Sequence, residues 1–272
     1  MPRFAANLSM LFTELPFLER FSAAAEAGFR GVEFLFPYEH PADALRQRLT
    51  SAGVEMVLFN LPPGDWGAGE RGLAALPGRE DEQRAGVAQA LDYAQALDCP
   101  RLHMMAGVLP EGADPHACEA VYIDNLHHAA AEAARFGVTL LIEPINPIDM
   151  PGYFLTHQAQ ARRLIAAVGA DNVRVQLDLY HCQMTEGRLS RTLTEQWPHL
   201  GHIQIAGVPG RHEPDEAGEI NYRWLFGELD RLGYDGWVGC EYKPRAGTRE
   251  GLEWLNAHKP GGAGMTSREA GV

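Results

Sequence analysis

The stretch Val138-Thr-Leu-Leu-Ile-Glu-Pro-Ile-Asn146 joins an apolar run to a carboxylate and a proline. Apolar residues without alternation are typical of a strand buried on both faces, as in parallel sheets that helices cover. Proline cannot donate a ladder hydrogen bond and restricts the residue before it, so the strand is predicted to end at Glu143. The carboxylate is then at the mouth of a sheet, where it is better placed for chemistry than for packing.

Three later stretches repeat this design, each short, rich in β-formers and bounded by turn residues. They lie at 173–178, 201–206 and 236–242, and they carry Asp178, Gln204 and Glu241 at or near their ends. Their spacing is close to that of one strand plus one crossover helix, roughly 30 residues. Because only a curved sheet turns four such strand ends toward one point, the pattern indicates a closed barrel.

Strand and helix patterns alternate along the whole chain. Further strands are predicted at 3–10, 31–36, 54–60 and 101–106, and helices at 15–27, 41–52, 79–97, 116–136, 156–168, 189–197, 222–232 and 247–256. No composition shift marks a linker, and no Gly-x-Gly-x-x-Gly turn follows the first strand. We therefore predict an α/β protein with a (β/α)8 TIM barrel rather than a doubly wound sheet. One domain over 1–260 and a flexible tail over 261–272 are expected.

Length, composition and charge restrict the class of protein. The 272 residues are close to the size of an eight-fold barrel, about 250 residues. With 23 basic and 36 acidic residues the net charge is −13, which disfavours nucleic acid and anionic membranes as partners. The four cysteines show no paired metal spacing and are expected as free thiols. No signal peptide or membrane span is apparent, which predicts a cytoplasmic protein.

The four polar strand ends form a candidate metal site. Glu143, Asp178, Gln204 and Glu241 offer three carboxylates and one amide oxygen, which suit Mg²⁺ or Mn²⁺ better than Zn²⁺. Without a cation the carboxylates would repel one another, and one would take up a proton. A single acid at a strand end is usually a cap or a solvated residue, but four oxygen-bearing side chains in consecutive strand-helix units favour a metal site. His202, one layer deeper, is expected to be a core histidine.

Loop residues supply further candidates at the same mouth. His181 can bond a substrate hydroxyl or be a surface histidine. Arg211 can hold an anionic group in a bidentate fork. Trp66 lies in the long Gly- and Pro-rich segment 61–72, which predicts either a lid or a disordered loop.

Several segments between residue 2 and about residue 254 together carry a family likeness. They are Phe-Ala-Ala-Asn-Leu-Ser-Met-Leu-Phe from residue 4, Gly-Val-Glu-Phe-Leu-Phe-Pro-Tyr from 31, Pro-Gly-Asp-Trp-Gly-Ala-Gly-Glu-Arg-Gly from 63, Ile-Glu-Pro-Ile-Asn from 142, Gly-Glu-Ile-Asn-Tyr from 218 and Gly-Cys-Glu-Tyr-Lys-Pro from 239. This set resembles the bacterial hydroxypyruvate isomerase family. The segment Ile-Ala-Gly-Val-Pro-Gly-Arg-His-Glu-Pro from 205 is at least as similar to 2-oxo-tetronate isomerases. The wider set is the xylose-isomerase-like barrels, with ketose 3-epimerases and an apurinic endonuclease branch.

The resemblance implies a role for each candidate. It implies catalysis and metal binding by Glu143 and Glu241, metal binding by Asp178 and Gln204, and substrate contact by His181 and Arg211. Gln204 stands where the related epimerases commonly have histidine, which leaves the metal preference open.

The expected reaction converts hydroxypyruvate to tartronate semialdehyde (2-hydroxy-3-oxopropanoate), an aldose-ketose isomerisation. The cation chelates the C2 carbonyl and C3 hydroxyl oxygens and stabilises a cis-enediolate. One glutamate removes the C3 proton, and the same or the other glutamate protonates C2. Arg211 holds the carboxylate, and closure of the Trp66 loop excludes water.

Three alternatives stay open beside this expectation. Isomerisation of a four-carbon 2-oxo acid, 2-oxo-tetronate, needs only a slightly roomier pocket. A metal-dependent endonuclease on the same fold predicts a basic, histidine-rich mouth, which the charge of −13 disfavours. A non-catalytic sugar-acid binding protein requires the acids to be structural. The expected partner is thus a small anionic hydroxy or oxo acid, and a homo-oligomer is possible.

Overall fold

The computed structural model describes residues 2–257, and eight parallel strands in this part of the chain form a closed barrel in sequence order. The strands are Arg3–Asn7 (β1), Gly31–Phe34 (β2), Glu55–Asn60 (β3), Arg101–His103 (β4), Thr139–Ile142 (β5), Val173–Asp178 (β6), Leu200–Ile205 (β7) and Trp237–Cys240 (β8). Pairing of β1 with β8 closes the ring. The predicted (β/α)8 TIM barrel is confirmed. The tail predicted at 261–272 lies outside the described residues.

Helices follow the strands. They are Arg20–Glu26 (α1), Ala42–Ala52 (α2), Glu80–Leu97 (α3), Pro115–Ala134 (α4), Gln158–Val168 (α5), Leu179–Thr185 (α6), Leu189–Gln196 (α7), Tyr222–Leu232 (α8) and Glu253–Ala257 (α9). Helix α6 was not predicted, and the helix expected at 247–256 is a short 3-10 turn at Glu250–Leu252 followed by α9. None of the helices within residues 2–257 has the length and apolar character needed to cross a bilayer.

The barrel interior is layered by the alternation of side chains along each strand. Its lower part is an apolar cluster of buried residues, Ala5, Val57, Leu58, Leu141 and Trp237. Polar side chains stand two positions further along the same strands, at Asn7 and Glu143, and they are also buried. The apolar cluster therefore forms a floor, and the polar layer above it faces the carboxyl ends of the strands.

Two glycines make room for this layering. A Cβ at Gly31 would lie 2.9 Å from the ring of Trp237, closer than real Cβ contacts. A Cβ at Gly239 would overlap both carboxylate oxygens of Glu33. The small residues on β2 and β8 thus allow one bulky ring and one buried carboxylate to occupy the centre of the barrel.

Candidate functional site

The four predicted ligand residues converge at one end of the barrel. Glu143 follows β5, Asp178 ends β6, Gln204 lies near the end of β7, and Glu241 follows β8; all four are buried. Asp178 and Gln204 are direct partners in the strand register. Glu143, Gln204 and Glu241 line one cavity of about 480 Å³, and Asp178 is buried beside it; this volume is within the usual range of small-molecule sites.

Three buried side chains at this end of the barrel form a compact group. Glu143, Asp178 and His181 each present a ligand atom, and these atoms lie within 4.8 Å of one another. The Oε1 of Glu143 and the Oδ2 of Asp178 are buried without a hydrogen-bond partner among the described residues. Unsatisfied buried carboxylate oxygens are costly unless a cation or a proton takes them up. This group could therefore hold a metal ion.

Burial and mutual repulsion raise the pKa values of the clustered acids. The pKa of Glu143 is raised well above its usual value by burial and by the charges of Glu241 and Asp178. Burial raises the pKa of Asp178 to about 6 and that of Glu241 to about 7, although the Arg211 charge lowers both. The acids thus bind protons more readily than solvated carboxylates do, unless further positive charge compensates them.

Arg211 provides part of that positive charge. Its Nη2 donates to Oε2 of Glu241 at 2.7 Å and lies 3.7 Å from Oδ2 of Asp178, while Nη1 is 3.9 Å from Asp149. Its Nε is buried and has no partner among the described residues. The backbone is left-handed here (φ 54°), and its carbonyl accepts from the N–H of Lys243 at 2.7 Å. With this backbone conformation the side chain points back into the cavity.

His181 lies in the first turn of α6 rather than in a surface loop, and it is buried. The helix forms because Asp178 acts as its N-cap and accepts from the N–H of Tyr180 at 2.7 Å. The Oδ1 of Asn146 accepts hydrogen bonds from two backbone N–H groups. This fixes the orientation of the amide, so its Nδ2 donates to Nδ1 of His181 at 2.6 Å. Burial lowers the pKa of His181 well below its usual value. The neutral ring therefore carries its proton on Nε2, 3.7 Å from Asp178.

Glu33 is a central site residue that the sequence reasoning missed. Its Oε1 accepts from Asn7 at 3.1 Å and from Nε2 of Gln204 at 2.7 Å, and its Oε2 lies 2.8 Å from Nε2 of His202. Because Nε2 of Gln204 donates to Glu33, the orientation of the Gln204 amide is fixed, and its Oε1 accepts from Gln176 at 2.6 Å. Glu33 lies inside β2 and not at its end, so it does not follow the strand-end pattern of the other acidic candidates. His202 is buried, as expected.

His103 at the end of β4 was also missed. Its Nδ1 lies 3.5 Å from Oε2 of Glu143, and burial lowers its pKa to about 3. It is therefore neutral beside the glutamate. A histidine at the end of a short apolar strand carries little sequence signal of its own.

Trp66, the predicted lid residue, lines the cavity and is 39% exposed. Its ring packs edge-on against Phe36 at 5.1 Å, and the guanidinium of Arg71 lies 3.8 Å above it. The segment is ordered by its own hydrogen bonds, including that from the N–H of Glu70 to the carbonyl of Asp65. Lid closure itself stays a prediction.

Comparisons with known proteins agree on one family. The family described as xylose isomerase-like TIM barrel matches residues 21–258. A 2-oxo-tetronate isomerase from Cupriavidus necator is 58% identical, covering 95% of this chain and 99% of that protein. A hydroxypyruvate isomerase from Escherichia coli is 48% identical, covering 95% and 100%. A crystal structure described as AP endonuclease, family 2, from Brucella melitensis is 55% identical with a TM-score of 0.93, covering 96% and 100%. The chain belongs to the xylose isomerase-like TIM barrels and, among them, to the hydroxypyruvate and 2-oxo-tetronate isomerase family.

Proposed function

We propose that the protein isomerises 2-oxo-tetronate, moving the carbonyl group of this four-carbon acid between C2 and C3. The similarity to the Cupriavidus necator 2-oxo-tetronate isomerase supports this substrate over hydroxypyruvate, the first expectation from the sequence. Hydroxypyruvate is the second candidate because the Escherichia coli relative carries that name. The two acids share the same reacting unit, a carbonyl beside a carbon that bears a hydroxyl group.

The observation that carries the proposal is the pair Glu143 and Glu241, buried in one cavity with raised pKa values. A carboxylate whose pKa is near neutral can both remove and return a proton. One glutamate removes the proton from C3, and a carboxyl group delivers a proton to C2. The hydroxyl proton passes from the C3 oxygen to the C2 oxygen, so the atoms balance without any further reactant.

The donor set fits a hard divalent cation, and we propose Mg²⁺ or Mn²⁺. The carboxylates of Glu143, Asp178 and Glu241 and the amide oxygen of Gln204 would hold it. The fit is supported by the unpartnered oxygens of Glu143 and Asp178. The Gln204 oxygen already accepts from Gln176, so it would bind the cation through its second lone pair. When bound, such a cation polarises the substrate carbonyl and stabilises developing negative charge on oxygen.

Two residues are assigned to substrate oxygens. His181 lies in the compact group with Glu143 and Asp178, but its Nδ1 accepts from Asn146 and its Nε2 carries the proton. We therefore assign it to donate to a substrate hydroxyl or carbonyl and not to bind the metal ion. Arg211 has an unpartnered buried Nε, which can donate to a second substrate oxygen. Its charge beside Glu241 also favours the ionised form of that carboxylate, which is the form that acts as a base.

Direct kinetics test the proposal. The Mg²⁺- or Mn²⁺-loaded protein is assayed on 2-oxo-tetronate and on hydroxypyruvate, and kcat/KM is compared. We expect the four-carbon acid to be preferred at least tenfold. A reversed preference would transfer the assignment to hydroxypyruvate, and turnover of neither acid would refute it.

A further inference from the structure

The cavity is unevenly charged. Four acidic side chains line it, and they are Glu33, Glu143, Asp149 and Glu241; the buried carboxylate of Asp178 lies 3.7 Å from the lining residue Arg211. Its arginine and lysine lining residues within the described chain are Arg71, Arg211 and Lys243. The divalent cation proposed above would offset the charge of the acids that hold it, so a substrate that carries its own carboxylate still needs a cationic side chain as its partner.

Arg211 is largely committed to the acids. It donates to Glu241, and it lies within 4 Å of Asp178 and Asp149. Lys243 is exposed. A buried guanidinium that already faces three carboxylates offers little net attraction to a fourth. The substrate carboxylate therefore needs another partner.

Arg71 has the geometry of such a partner. Its guanidinium carbon lies 3.8 Å from the centre of the Trp66 ring, and its Nη1 donates to the carbonyls of Trp66 at 3.0 Å and Glu70 at 2.7 Å. Among residues 2–257, no hydrogen bond involves its Nε or Nη2 and no carboxylate forms an ion pair with it. These two nitrogens form an edge that binds a carboxylate through two parallel hydrogen bonds.

The loop that carries Arg71 is braced. The Oε2 of Glu70 accepts from the N–H of Asp65 at 2.6 Å, and Arg79 forms an ion pair with Glu70. Gly72 has φ 106° and packs so closely on Met105 that a Cβ would overlap its carbonyl. A side chain fixed in this way loses little conformational entropy when it binds an anion.

The loop also lies across the barrel mouth from the clustered acids, where an extended substrate can contact it. It follows β3, which is opposite β7 in the eight-strand ring, whereas the clustered acids follow β5 to β8. An acid that places its reacting carbons against Glu143 and Glu241 can thus direct its other end toward the opposite wall. Arg71 and Trp66 line that wall.

We propose that Arg71, held by Trp66, is the subsite that binds the substrate carboxylate and selects sugar acids over neutral sugars. The substrate class rests on the proposed function, but the subsite serves any small 2-oxo or hydroxy acid. Arg211 then contacts an oxygen of the reacting unit instead of the carboxylate.

Binding measurements test this subsite without relying on turnover. The Mg²⁺-loaded wild type, Arg71→Gln and Arg71→Lys are titrated calorimetrically with erythronate, a four-carbon hydroxy acid, and with its uncharged amide. We expect Arg71→Gln to lose about 10- to 100-fold in erythronate affinity, as for a charged hydrogen-bonded pair. Binding of the amide is expected to stay unchanged, and Arg71→Lys to fall between. Arg84→Gln, which removes an equal charge from an exposed pair with Asp124, is the control.

Each other outcome contradicts the proposal. Wild-type affinity for erythronate in Arg71→Gln would show that the carboxylate binds elsewhere. An equal loss for acid and amide, or a loss in Arg84→Gln, would indicate general damage or a simple field effect. Melting temperatures of all variants exclude misfolding, and wild-type turnover in the same preparation separates failure of this subsite from failure of the proposed reaction.

Discussion

At the scale of single residues, the site is a set of buried charges that the fold must hold together. Glu143, Asp178 and Glu241 are buried at one end of the barrel, and their pKa values are raised by burial and by neighbouring carboxylates. Such a cluster costs stability, so its presence in a barrel interior indicates a functional role. Arg211 offsets part of the cost, and the unpartnered oxygens of Glu143 and Asp178 are the positions that a cation would satisfy.

Replacement of Glu241 by glutamine tests its role in proton transfer. The amide is similar in size but cannot act as a base, so we expect kcat to fall by about 10²- to 10⁴-fold. Steady-state kinetics with saturating metal measure the loss. Glu55→Gln, at the exposed start of β3 at the other end of the barrel, is the matched control. Full turnover in Glu241→Gln would favour a non-catalytic sugar-acid binding protein.

The raised pKa values also predict how stability depends on pH. Glu241 has a pKa of about 7 in the folded protein against 4.5 ordinarily, so the folded state binds more protons between these values. The stabilising contribution of Glu241 to the free energy of unfolding is therefore fully present below pH 4.5, and it is lost as pH rises through 7. In metal-free protein, the free energy of unfolding of wild type relative to Glu241→Gln should fall by on the order of 2–3 kcal/mol from pH 4.5 to 8. Urea titrations at several pH values measure it; a difference independent of pH would contradict it.

The sequence predicted the site residues that carry their own local signal. Glu143 and Asp178 end apolar runs, and the barrel pattern alone predicts that they converge. The contacts of Arg211 could not be predicted, because they depend on a left-handed backbone at that residue and on a loop that returns across the cavity. Glu33 was missed because a lone acid in a strand gives no clue to its partners.

At the scale of elements, the strands were easier to predict than the short helices. Four strands end at a polar residue, as β3 does at Asn60 and β6 at Asp178, and closure of the ring then fixes the neighbours of each strand. Helix α6 was missed because its start is specified by a side-chain contact, the N-cap at Asp178, rather than by apolar periodicity. That cap buries His181, which sequence reasoning left in a loop.

The loop after β3 is expected to act as a lid over the cavity. Trp66→Ala removes its contacts with Phe36 and Arg71, so water should reach the enediolate more readily. We expect kcat/KM to fall about tenfold and more solvent deuterium to enter the product, with little change in melting temperature. Trp224→Ala, an equally large change at an exposed position on α8, is the control. Unchanged kinetics and labelling would argue against a lid.

At the scale of the whole molecule, net charge separates the isomerase from the endonuclease alternative. A charge of −13 repels DNA, and neutralisation of phosphates supplies most non-specific DNA affinity. The similar structure from Brucella melitensis is described as an endonuclease, so the point merits a direct test. We expect no cleavage of an abasic-site duplex at physiological salt by protein that is active on the sugar acids. Metal-dependent cleavage would revive the alternative.

Cation binding should stabilise the entire barrel, because its proposed ligands come from four strand ends, β5 to β8, that are brought together only in the folded state. At 100 times its Kd, a ligand of the folded state alone adds about 2.7 kcal/mol. For a chain of this size that corresponds to a rise in melting temperature of about 5–10 °C. Metal-free protein is melted with and without Mn²⁺, alongside Asp178→Asn, which removes a buried carboxylate but keeps the side-chain shape. We expect the rise in wild type and its loss in the variant. An equal rise in both would place the bound cation away from Asp178.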